Sequence, residues 1–550
     1  MDPMRVLSAA EMEACDHATA ERFGISSLQL MRNASLAVAA VAREQLKHAW
    51  RVTVLCGRGN NGGDGMMTAR LLAEAGCDAN VMLLGSPAEL KGDAAIAWSE
   101  LESAAECRRV AIEDADQLAQ HADLLRADLL IDAIVGTGFK PPLKGLALAA
   151  LEWINGSTAP ILAVDLPSGW PADSTCATCA DPVFPADAVV TFTAPKPAHV
   201  FGQLTRFWHQ PVVVAPIGSP KDAMVSELGL HWAGSAQALT QQRRAADANK
   251  GSFGHVLVVG GTFGSAGGKA GAPTMTSLAA LRAGAGLVTA AVPAPALPVI
   301  SGFAPELMTW PLEATAEGHI SASNLVPGKL ENLMRGITVL AIGPGMGQGR
   351  DAIKFLAFLL FATKMPVVID ADGLNNLAQD SRLLQSIGSQ RTVVITPHPG
   401  EMARLAGISI KDVQADRLGV ARNFALDKHV TVVLKGARTL IAHPDGRVAV
   451  NTTGNPGMAK GGSGDLLTGI VAGLLAQYPH DPARAVEAAA FLHGLAADLA
   501  VRQMDEHTLL ATDTLPQLSP AFRFHSADRN GYVWLQGMAS QFARSPEAAE

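Results

Sequence analysis

Short, nearly unbroken apolar runs recur along this chain in two series of six, with segments of helical length between them. Such runs are typical of parallel strands buried on both faces, because helices cover both sides of the sheet that they form. The pattern therefore predicts an α/β fold with two doubly wound domains. The predicted strands are residues 52–56, 80–84, 129–134, 161–165, 188–192 and 212–215, then 256–260, 287–292, 339–342, 367–369, 393–396 and 432–434.

The length of 550 residues agrees with this division, since one hydrophobic core seldom serves so long a chain. Weak patterning marks a junction at 221–245, and the apolar rhythm fades after about residue 515. We expect domains at 1–220 and 246–515, and then a carboxy-terminal extension at 516–550 whose small and charged end frays. The two halves share no register of motifs, which indicates fusion rather than duplication.

Charge and composition narrow the range of partners. The net charge is −8, and no basic stripe with interleaved aromatic residues appears, so nucleic acid is not an expected partner. The first residues lack the apolar segment of a secretion signal, and no run of eighteen apolar residues follows. We expect a cytoplasmic homo-oligomer that acts on small molecules and has no membrane partner.

Polar residues follow three strands of the first series, where the carboxyl ends of parallel strands gather ligands. After the first strand comes a glycine-rich loop, 60–65, whose backbone amides could wrap phosphates before a helix that begins near Met66. The alternative for this loop is a tight turn with left-handed Asn and Gly residues. The other two strand ends carry Asp132 with 136–138, and Asp165 with Ser168.

The oxygen-bearing side chains at these strand ends suggest two roles. Asn61, Asp132 and Ser168 offer oxygen ligands with a single carboxylate, a set that suits a hard cation, and a monovalent ion needs little charge. Asp165 is the candidate general acid or base at the end of a buried strand, although it could equally brace the turn that follows.

A second glycine-rich string, 454–465, precedes an apolar helix at 466–477 in the second half. Amides at a helix start are free to bind phosphate, and Asp465 at the same place could deprotonate a hydroxyl held against it. The alternative is that Asp465 only caps the helix. The glycine count favours phosphoryl transfer, since ordering so many glycines is costly.

Three further strand ends of this half carry candidate ligand contacts. Gly345 lies in a glycine turn that permits close backbone approach to a ligand. His398, between two prolines, could bond to substrate or brace its turn. Lys435 and Gly436 could meet a phosphate or line an adenine site, while Lys435 could also be an ordinary solvated cation.

Three blocks of the first half resemble the signature of the NAD(P)H-hydrate epimerase domain, namely 60–65, 132–139 and 164–169. The resemblance extends over about residues 5–217. The resemblance implies a Rossmann-like domain with Asp165 in contact with the reacting hydrate. It implies potassium binding by Asn61, Asp132 and Ser168. The implied dinucleotide contacts are Asn60, Asn61, Gly62, Gly63, Asp64, Gly136, Thr137, Gly138, Phe139, Lys140, Pro141 and Pro142.

The second half, from about 249 to 513, resembles the ribokinase-like fold and, within it, the ADP-dependent NAD(P)H-hydrate dehydratase family. This resemblance rests on the blocks 267–275, 281–287, 343–347, 396–401, 434–436 and 454–465. It implies hydrate contacts at Ala272, Gly345, His398 and Asp465. It implies adenine-nucleotide contacts at Lys435, Gly436, Ala437, Arg438, Thr439 and Gly464.

Both resemblances together imply an enzyme that repairs hydrated NADH and NADPH. The first half would interconvert the R and S hydrates, and the second would dehydrate the S hydrate with ADP as phosphoryl donor and magnesium assisting, releasing AMP and phosphate. Asp465 would be the general base. The alternative is a ribokinase-like vitamin or sugar kinase fused to a nucleotide-binding sensor domain.

Overall fold

The computed structural model describes residues 3–45, 51–103, 107–265, 267–379 and 382–537. The chain forms two compact units, one made of Met4–Leu230 with residues 525–537, the other of His231–Phe524. The sequence instead predicts a junction at 221–245 and an extension from 516. Residues 540–550, expected to fray, lie outside the described residues.

The first unit alternates strands and helices. Its elements are α1 (Ala9–Phe23), α2 (Ser27–Gln45), β1 (Arg51–Cys56), α3 (Asn60–Glu74), β2 (Asp78–Leu84), α4 (Gly92–Glu102), β3 (Arg108–Ile112), α5 (Ala115–Gln120), β4 (Leu129–Ala133), α6 (Gly145–Ile154), β5 (Ile161–Val164), β6 (Ala188–Phe192), α7 (Pro197–Phe201) and β7 (Val212–Ala215). The seven strands are parallel in the order β7-β6-β5-β4-β1-β2-β3.

The second unit repeats this plan with a longer sheet. Its strands are β8 (Leu230–Trp232), β9 (His255–Val259), β10 (Phe263–Gly264), β11 (Gly267–Gly268), β12 (Leu287–Pro293), β13 (Met308–Leu312), β14 (Val339–Ile342), β15 (Val367–Ile369), β16 (Val393–Ile395), β17 (Thr431–Leu434), β18 (Leu440–Ala442) and β19 (Val448–Val450). Its helices are α8 (Gly271–Arg282), α9 (Leu297–Ser301), α10 (Pro327–Met334), α11 (Arg350–Ala362), α12 (Asp372–Leu377), α13 (Arg382–Gly388), α14 (Pro399–Ala406), α15 (Ile410–Ala415), α16 (Arg417–Lys428), α17 (Ser463–Gln477), α18 (Pro482–Ala500) and α19 (Thr514–Arg523).

The strand order of this second sheet is β13-β12-β9-β14-β15-β16-β17-β18-β19-β8. From β13 to β17 in this order, including β9, all neighbouring strands are parallel. Strand β18 runs antiparallel to both of its neighbours, β17 and β19. The two doubly wound domains predicted from the apolar runs are confirmed.

Each sheet reverses its strand order at one point, between β1 and β4 in the first unit and between β9 and β14 in the second. At such a switch point the two adjacent loops diverge and leave a crevice that binds ligands. The glycine-rich segments after β1 and β9 stand at these points, as do the loops after β4 and β14. The fold therefore places the predicted contacts at 60–64, 136–142, Ala272 and Gly345 where a ligand can enter, whereas His398 and Lys435 follow β16 and β17, further along the second sheet.

The predicted glycine loop at 60–65 is wrong: all of these residues belong to α3, which begins at Asn60. The glycines serve close packing rather than a turn. A Cβ on Gly62 would collide with the carbonyl oxygen of Gly57, and one on Gly63 would lie 2.6 Å from the Met31 methyl carbon. Helix α3, which follows β1, thus begins six residues earlier than the expected start near Met66.

The segment expected to be an extension contains ordered structure. Helix α19 covers Thr514–Arg523, and β20 (Val533–Gln536) pairs antiparallel with β7 at the edge of the first unit's sheet. The Trp534 side chain is buried in that unit's core, and Gln536 Nε2 donates to Thr205 Oγ1 at 3.2 Å. Among the described helices, every one is too short or too polar to cross a membrane.

Candidate functional site

Asp165 follows β5 and has a backbone φ of 64°, in the left-handed region that residues other than glycine seldom adopt. Its carboxylate is held on both oxygens. Oδ2 accepts from the Thr137 backbone N–H at 2.9 Å and from the Thr137 hydroxyl, and Oδ1 accepts from Thr191 Oγ1 at 2.9 Å. Strained backbone that surrounding contacts fix in this way is common at functional sites.

The fourth hydrogen bond to the Asp165 carboxylate comes from Lys196, whose ammonium donates to Oδ1 at 2.7 Å. Both side chains of this ion pair are almost fully buried, with 2% of Lys196 and 8% of Asp165 exposed. Burial alone would raise the pKa of Asp165, but Lys196 and the other donors outweigh it and hold the pKa well below its usual range. Asp165 is therefore a stable carboxylate, neither a proton donor nor a strong base at neutral pH.

His199 fixes the backbone of this pair. Its Nδ1 accepts from the Lys196 backbone N–H at 3.0 Å, so the proton is on Nε2, which donates to the Asp165 carbonyl oxygen at 2.7 Å. Burial, with the Lys196 charge beside it, lowers the pKa of His199 to about 4. His199 is thus neutral at pH 7 and braces the left-handed turn.

Asp132 and Ser168 form a second buried cluster at the ends of β4 and β5. Asp132 accepts from the Ser168 backbone N–H at 2.7 Å and from Ser168 Oγ at 2.6 Å. Burial raises the pKa of Asp132 to about 6, and the groups that oppose the rise are neutral hydrogen-bond donors. Asn61 lies nearby, because a Cβ on Gly136 would be 3.1 Å from Asn61 Oδ1 and 3.0 Å from Asp165 Oδ2.

A cavity of about 2140 Å³ opens onto Asn61, Asp165 and Lys196, and its volume is at least twice that of a usual small-molecule pocket and large enough for a dinucleotide. Most of the predicted dinucleotide contacts line it, namely Asn60, Asn61, Asp64, Gly136, Thr137, Gly138, Phe139 and Lys140. Gly62 and Gly63 are instead buried inside α3, while Pro141 and Pro142 are exposed. The structure adds Lys196 and Asp16 to the lining, neither of which the sequence pattern singled out.

In the second unit, Asp465 is the third residue of α17, and the N-cap residue of that helix is Gly462, with a φ of 98°. The expectation that Asp465 could merely cap the helix is therefore wrong. Burial raises the pKa of Asp465 to about 7, the Asp370 carboxylate adds to the rise, and Lys435 opposes it. A carboxylate with such a pKa can take up a proton near neutral pH.

Lys435 lies beside this acid rather than in free solvent. Its ammonium donates to Asp370 Oδ1 at 2.9 Å and lies 3.8 Å from Glu401 Oε2. The other oxygen of Asp370 accepts from Thr468 Oγ1 at 2.8 Å, one turn after Asp465 on α17. The alternative that Lys435 is an ordinary solvated cation is therefore wrong.

The backbone around this acidic cluster is strained and tightly packed. Ala371, between Asp370 and Asp372, has a φ of 52°, although it is not glycine. A Cβ on Gly464 would lie 3.2 Å from Lys435 Nζ, a tight contact that would displace the ammonium slightly. Sequence reasoning placed Asp370 at a strand end but gave it no role.

His398 is the N-cap residue of α14. Its Nδ1 accepts from the backbone N–H groups of Gly400 at 3.0 Å and Glu401 at 3.4 Å. The Nε2 side lies 3.5 Å from Glu401 Oε1, and about half of the side chain is exposed. His398 therefore braces its turn, and about half of its ring remains accessible.

The predicted contacts Ala272 and Gly345 lie together, since a Cβ on Gly345 would be 3.4 Å from the Ala272 Cβ. Lys269 and Asp372 flank them through an ion pair of 3.1 Å. Gly345 has a φ of 65°, which explains the glycine at this turn. The structure thus brings two distant sequence blocks to one wall.

The predicted nucleotide segment after β17 is held by two arginines. Arg417 donates to the carbonyl oxygens of Leu434, Lys435 and Ala437. Arg438, with a φ of 54°, donates to the Thr452 carbonyl at 2.9 Å. Burial lowers the pKa of Arg438 to about 10, and it stays charged.

Thr439 closes the same turn by donating to the Gly436 carbonyl at 2.9 Å. Within the described residues, no group of three or more His, Cys, Asp or Glu side chains is arranged to hold a metal ion.

Both halves of the chain match known families. Residues 256–519 match the family described as NAD(P)H-hydrate dehydratase, and residues 27–198 match the family described as YjeF-related protein N-terminus. A bifunctional NAD(P)H-hydrate repair enzyme of Moorella thermoacetica is 40% identical, over 94% of this chain and 97% of its own length. The enzyme of the same name from Coxiella burnetii is 37% identical, over 90% and 95%.

A solved structure, the ADP/ATP-dependent NAD(P)H-hydrate dehydratase of Bacillus subtilis co-crystallised with ATP and Mg²⁺, is 30% identical to this chain. It covers 53% of this chain and 96% of its own, with a TM-score of 0.44.

Proposed function

The chain belongs to the family of bifunctional NAD(P)H-hydrate repair enzymes, with an epimerase half and a dehydratase half, and we propose which of its residues carry the two reactions. The relatives span both halves under that one name, which favours repair over the kinase-and-sensor alternative. We assign epimerisation to the cavity around Asp165 and dehydration to the acidic cluster around Asp465.

The assignment of dehydration to this cluster rests mainly on one observation, the elevated pKa of Asp465 at a glycine-flanked helix start. Asp465 takes the proton of the ring hydroxyl as the hydroxyl oxygen attacks the terminal phosphoryl group of ADP, and AMP leaves. Loss of phosphate from the ring carbon, with one proton from the adjacent carbon, restores the double bond of the reduced nicotinamide. Phosphate is a far better leaving group than hydroxide.

Backbone amides at the start of α17 support this transfer. The first N–H groups of a helix have no partner within it, and they point towards incoming negative charge. We propose that Gly464 and its neighbours in 461–464 cradle the migrating phosphoryl group. Magnesium would be held chiefly by the phosphate oxygens of the nucleotide, as is usual for Mg²⁺ at phosphate sites, and would neutralise their charge.

The remaining proposed contacts surround this centre. The hydrate would lie against Ala272, Gly345, His398 and Asp465, and the ADP against Lys435, Gly436, Ala437, Arg438, Thr439 and Gly464. Lys435 would act on the phosphates while paired with Asp370, because the two carboxylates beside it outweigh burial and raise its pKa. The Lys435 ammonium has three protons, and the hydrogen bond to Asp370 uses one of them.

In the epimerase half, we propose that Asn61, Asp132 and Ser168 hold potassium. The donors suit this ion, because Asp132 and Ser168 are buried oxygen donors bonded to each other, Asn61 adds an amide oxygen beside the loop after β4, and the single carboxylate has only neutral hydrogen-bond partners. A monovalent cation there would balance Asp132 and fix the loop after β4 against the turn after β5. Asp165 and the cavity-lining residues at 60–64 and 136–142 would bind the dinucleotide hydrate.

Potassium should stabilise the first unit, because a ligand that binds only the folded state raises its stability. We expect a higher melting temperature in potassium chloride than in tetramethylammonium chloride of equal ionic strength. Asp132→Asn should remove the difference, while Asp78→Asn, about half-exposed on the same sheet, should keep it. Equal melting temperatures of the unaltered protein in both salts would contradict the proposed site.

The complete repair activity can be tested with a mixture of both hydrate epimers and ADP. Full conversion to reduced nicotinamide, with release of AMP and phosphate, is expected, since epimerisation feeds the consumed epimer. If conversion stops when one epimer is exhausted, the protein has dehydratase activity but no epimerase activity. A stable phosphorylated product without reduced-nicotinamide absorbance would instead support a kinase.

Three broader expectations complete the proposal: a cytoplasmic location, a homo-oligomer and a division of labour between residues 4–230 with 525–537 and residues 231–524. The compactness of each of these units supports the last of them.

A further inference from the structure

The epimerase cavity contains a carboxylate that cannot supply a proton. Asp165 accepts four hydrogen bonds, and its ion pair with Lys196 keeps it charged. His199 is equally unavailable, since both ring nitrogens are used. Inversion at a carbon that bears a hydroxyl group and a ring nitrogen needs an acid, because hydroxide is a poor leaving group. Another acid of the cavity lining can supply that proton.

Asp16 on α1 is placed to be that donor. It lines the cavity together with Asp165 and Lys196, and no motif of the sequence drew attention to it. Its helix is firmly seated: the Ala9 backbone N–H donates to Asp173 Oδ1 at 2.8 Å, and Glu11 Oε1 accepts from the Glu227 backbone N–H at 2.7 Å.

Desolvation at the cavity wall favours the protonated form of Asp16. It raises the pKa of Asp16 to about 6, although Lys196 and His17 oppose the rise, and the Asp165 carboxylate adds to it. Asp64 faces the same space, and burial together with the charges of Asp165 and Asp16 raises its pKa well above the usual range.

We infer that Asp16 is the proton donor of the epimerase half, an inference that depends on epimerisation taking place in this cavity. The Asp16 carboxylic acid protonates the hydroxyl of the hydrate. The C–O bond breaks with its electron pair on the departing water, and the ring-nitrogen lone pair forms a C=N bond. Water adds to the opposite face and loses a proton, which returns to the Asp16 carboxylate through water molecules in the open cavity, and this gives the other epimer.

The same cavity stabilises the cationic ring that this step creates. Asp165 is a permanent carboxylate, and the strained turn fixes it, so its negative charge needs no rearrangement as positive charge develops on the ring. Asp16 and Asp165 thus divide the work, one exchanging the proton and the other supplying fixed charge. This division explains why two acids with opposite pKa shifts share one cavity.

The test uses the full-length protein with one purified hydrate epimer and no nucleotide, and follows formation of the other epimer by chromatography. Asp16→Asn should lower kcat/KM for epimerisation by about 10²–10⁴-fold. Glu21→Gln, which removes an exposed acid from the same helix but away from the cavity lining, should change it by less than about threefold. Dehydration of the S hydrate with ADP should be unchanged in both variants, and hydrogen exchange of the β5 and β6 amides should show that the first unit of each variant is folded.

The pH profile separates proton donation from a structural effect. For the unaltered protein, kcat/KM should fall as pH rises above about 6, since the protonated form of Asp16 is the active one. A rate that rises with pH through this range would overturn the inference without any variant. So would an Asp16→Asn variant within threefold of the unaltered enzyme. A protein that dehydrates the S hydrate but never epimerises would overturn the proposed epimerase function as well.

Discussion

Asp465→Asn is expected to lower kcat for dehydration of the S hydrate by about 10²–10⁴-fold, the usual effect of losing a general base. Asparagine preserves the shape of the side chain but cannot take the hydroxyl proton. Epimerisation by the same protein should be unchanged, because the two proposed sites draw on different residues. The measurement is reduced-nicotinamide absorbance with saturating ADP.

The pH dependence strengthens this test. A base must be deprotonated to act, so the elevated pKa of Asp465 predicts that dehydration accelerates as pH rises through about 7. The residual activity of Asp465→Asn should lack that rise. Asp427→Asn, an exposed substitution on α16, is the matched control and should behave as the unaltered enzyme. Full activity in Asp465→Asn would refute the proposed base.

Lys196→Met is expected to destabilise the first unit by about 3–5 kcal/mol, because it leaves the Asp165 carboxylate buried without its counter-charge. The residual carboxylate would keep its hydrogen bonds to Thr137 and Thr191 but lose the ammonium. The free energy of unfolding of this unit can be measured by hydrogen exchange of the β5 and β6 amides. Epimerisation should fall with it, since Asp165 can then shift.

Two comparison variants separate charge from packing. The double variant Asp165→Asn/Lys196→Met removes both charges and should recover much of the lost stability without recovering epimerisation. Arg51→Met, which breaks an exposed ion pair of the same sheet, should cost about 1 kcal/mol or less. If Lys196→Met were no more destabilising than Arg51→Met, the buried pair would not stabilise the fold.

The sequence predicted the central strands because parallel strands buried on both faces appear as nearly continuous apolar runs. It missed β3, an edge strand, because Arg108 and Arg109 interrupt the apolar run there. It also misread 60–65 as a loop, because glycine is a poor helix former in isolation. The packing of Gly62 against Gly57, which reverses that preference, depends on tertiary contacts that no local pattern contains.

The candidate sites were predictable to the extent that strand ends gather their residues. Asp165 was found in this way and Asp465 from the glycine-rich string before its helix, whereas Lys196, 31 residues after its partner Asp165, carried no signal of its own. Asp16 was missed for a related reason, since its helix precedes the first strand. Asp370 was visible at a strand end, but its effect on the pKa of Asp465 arises only when α17 packs beside it.

Strand β20 has a consequence for biosynthesis. A ribosome that has just released β7 must add about 300 more residues before β20 emerges, which takes roughly 15–60 s at common elongation rates. Throughout that interval the nascent first unit has an unpaired strand edge and no Trp534 in its core. Newly made chains should therefore be captured by chaperones most readily in this window.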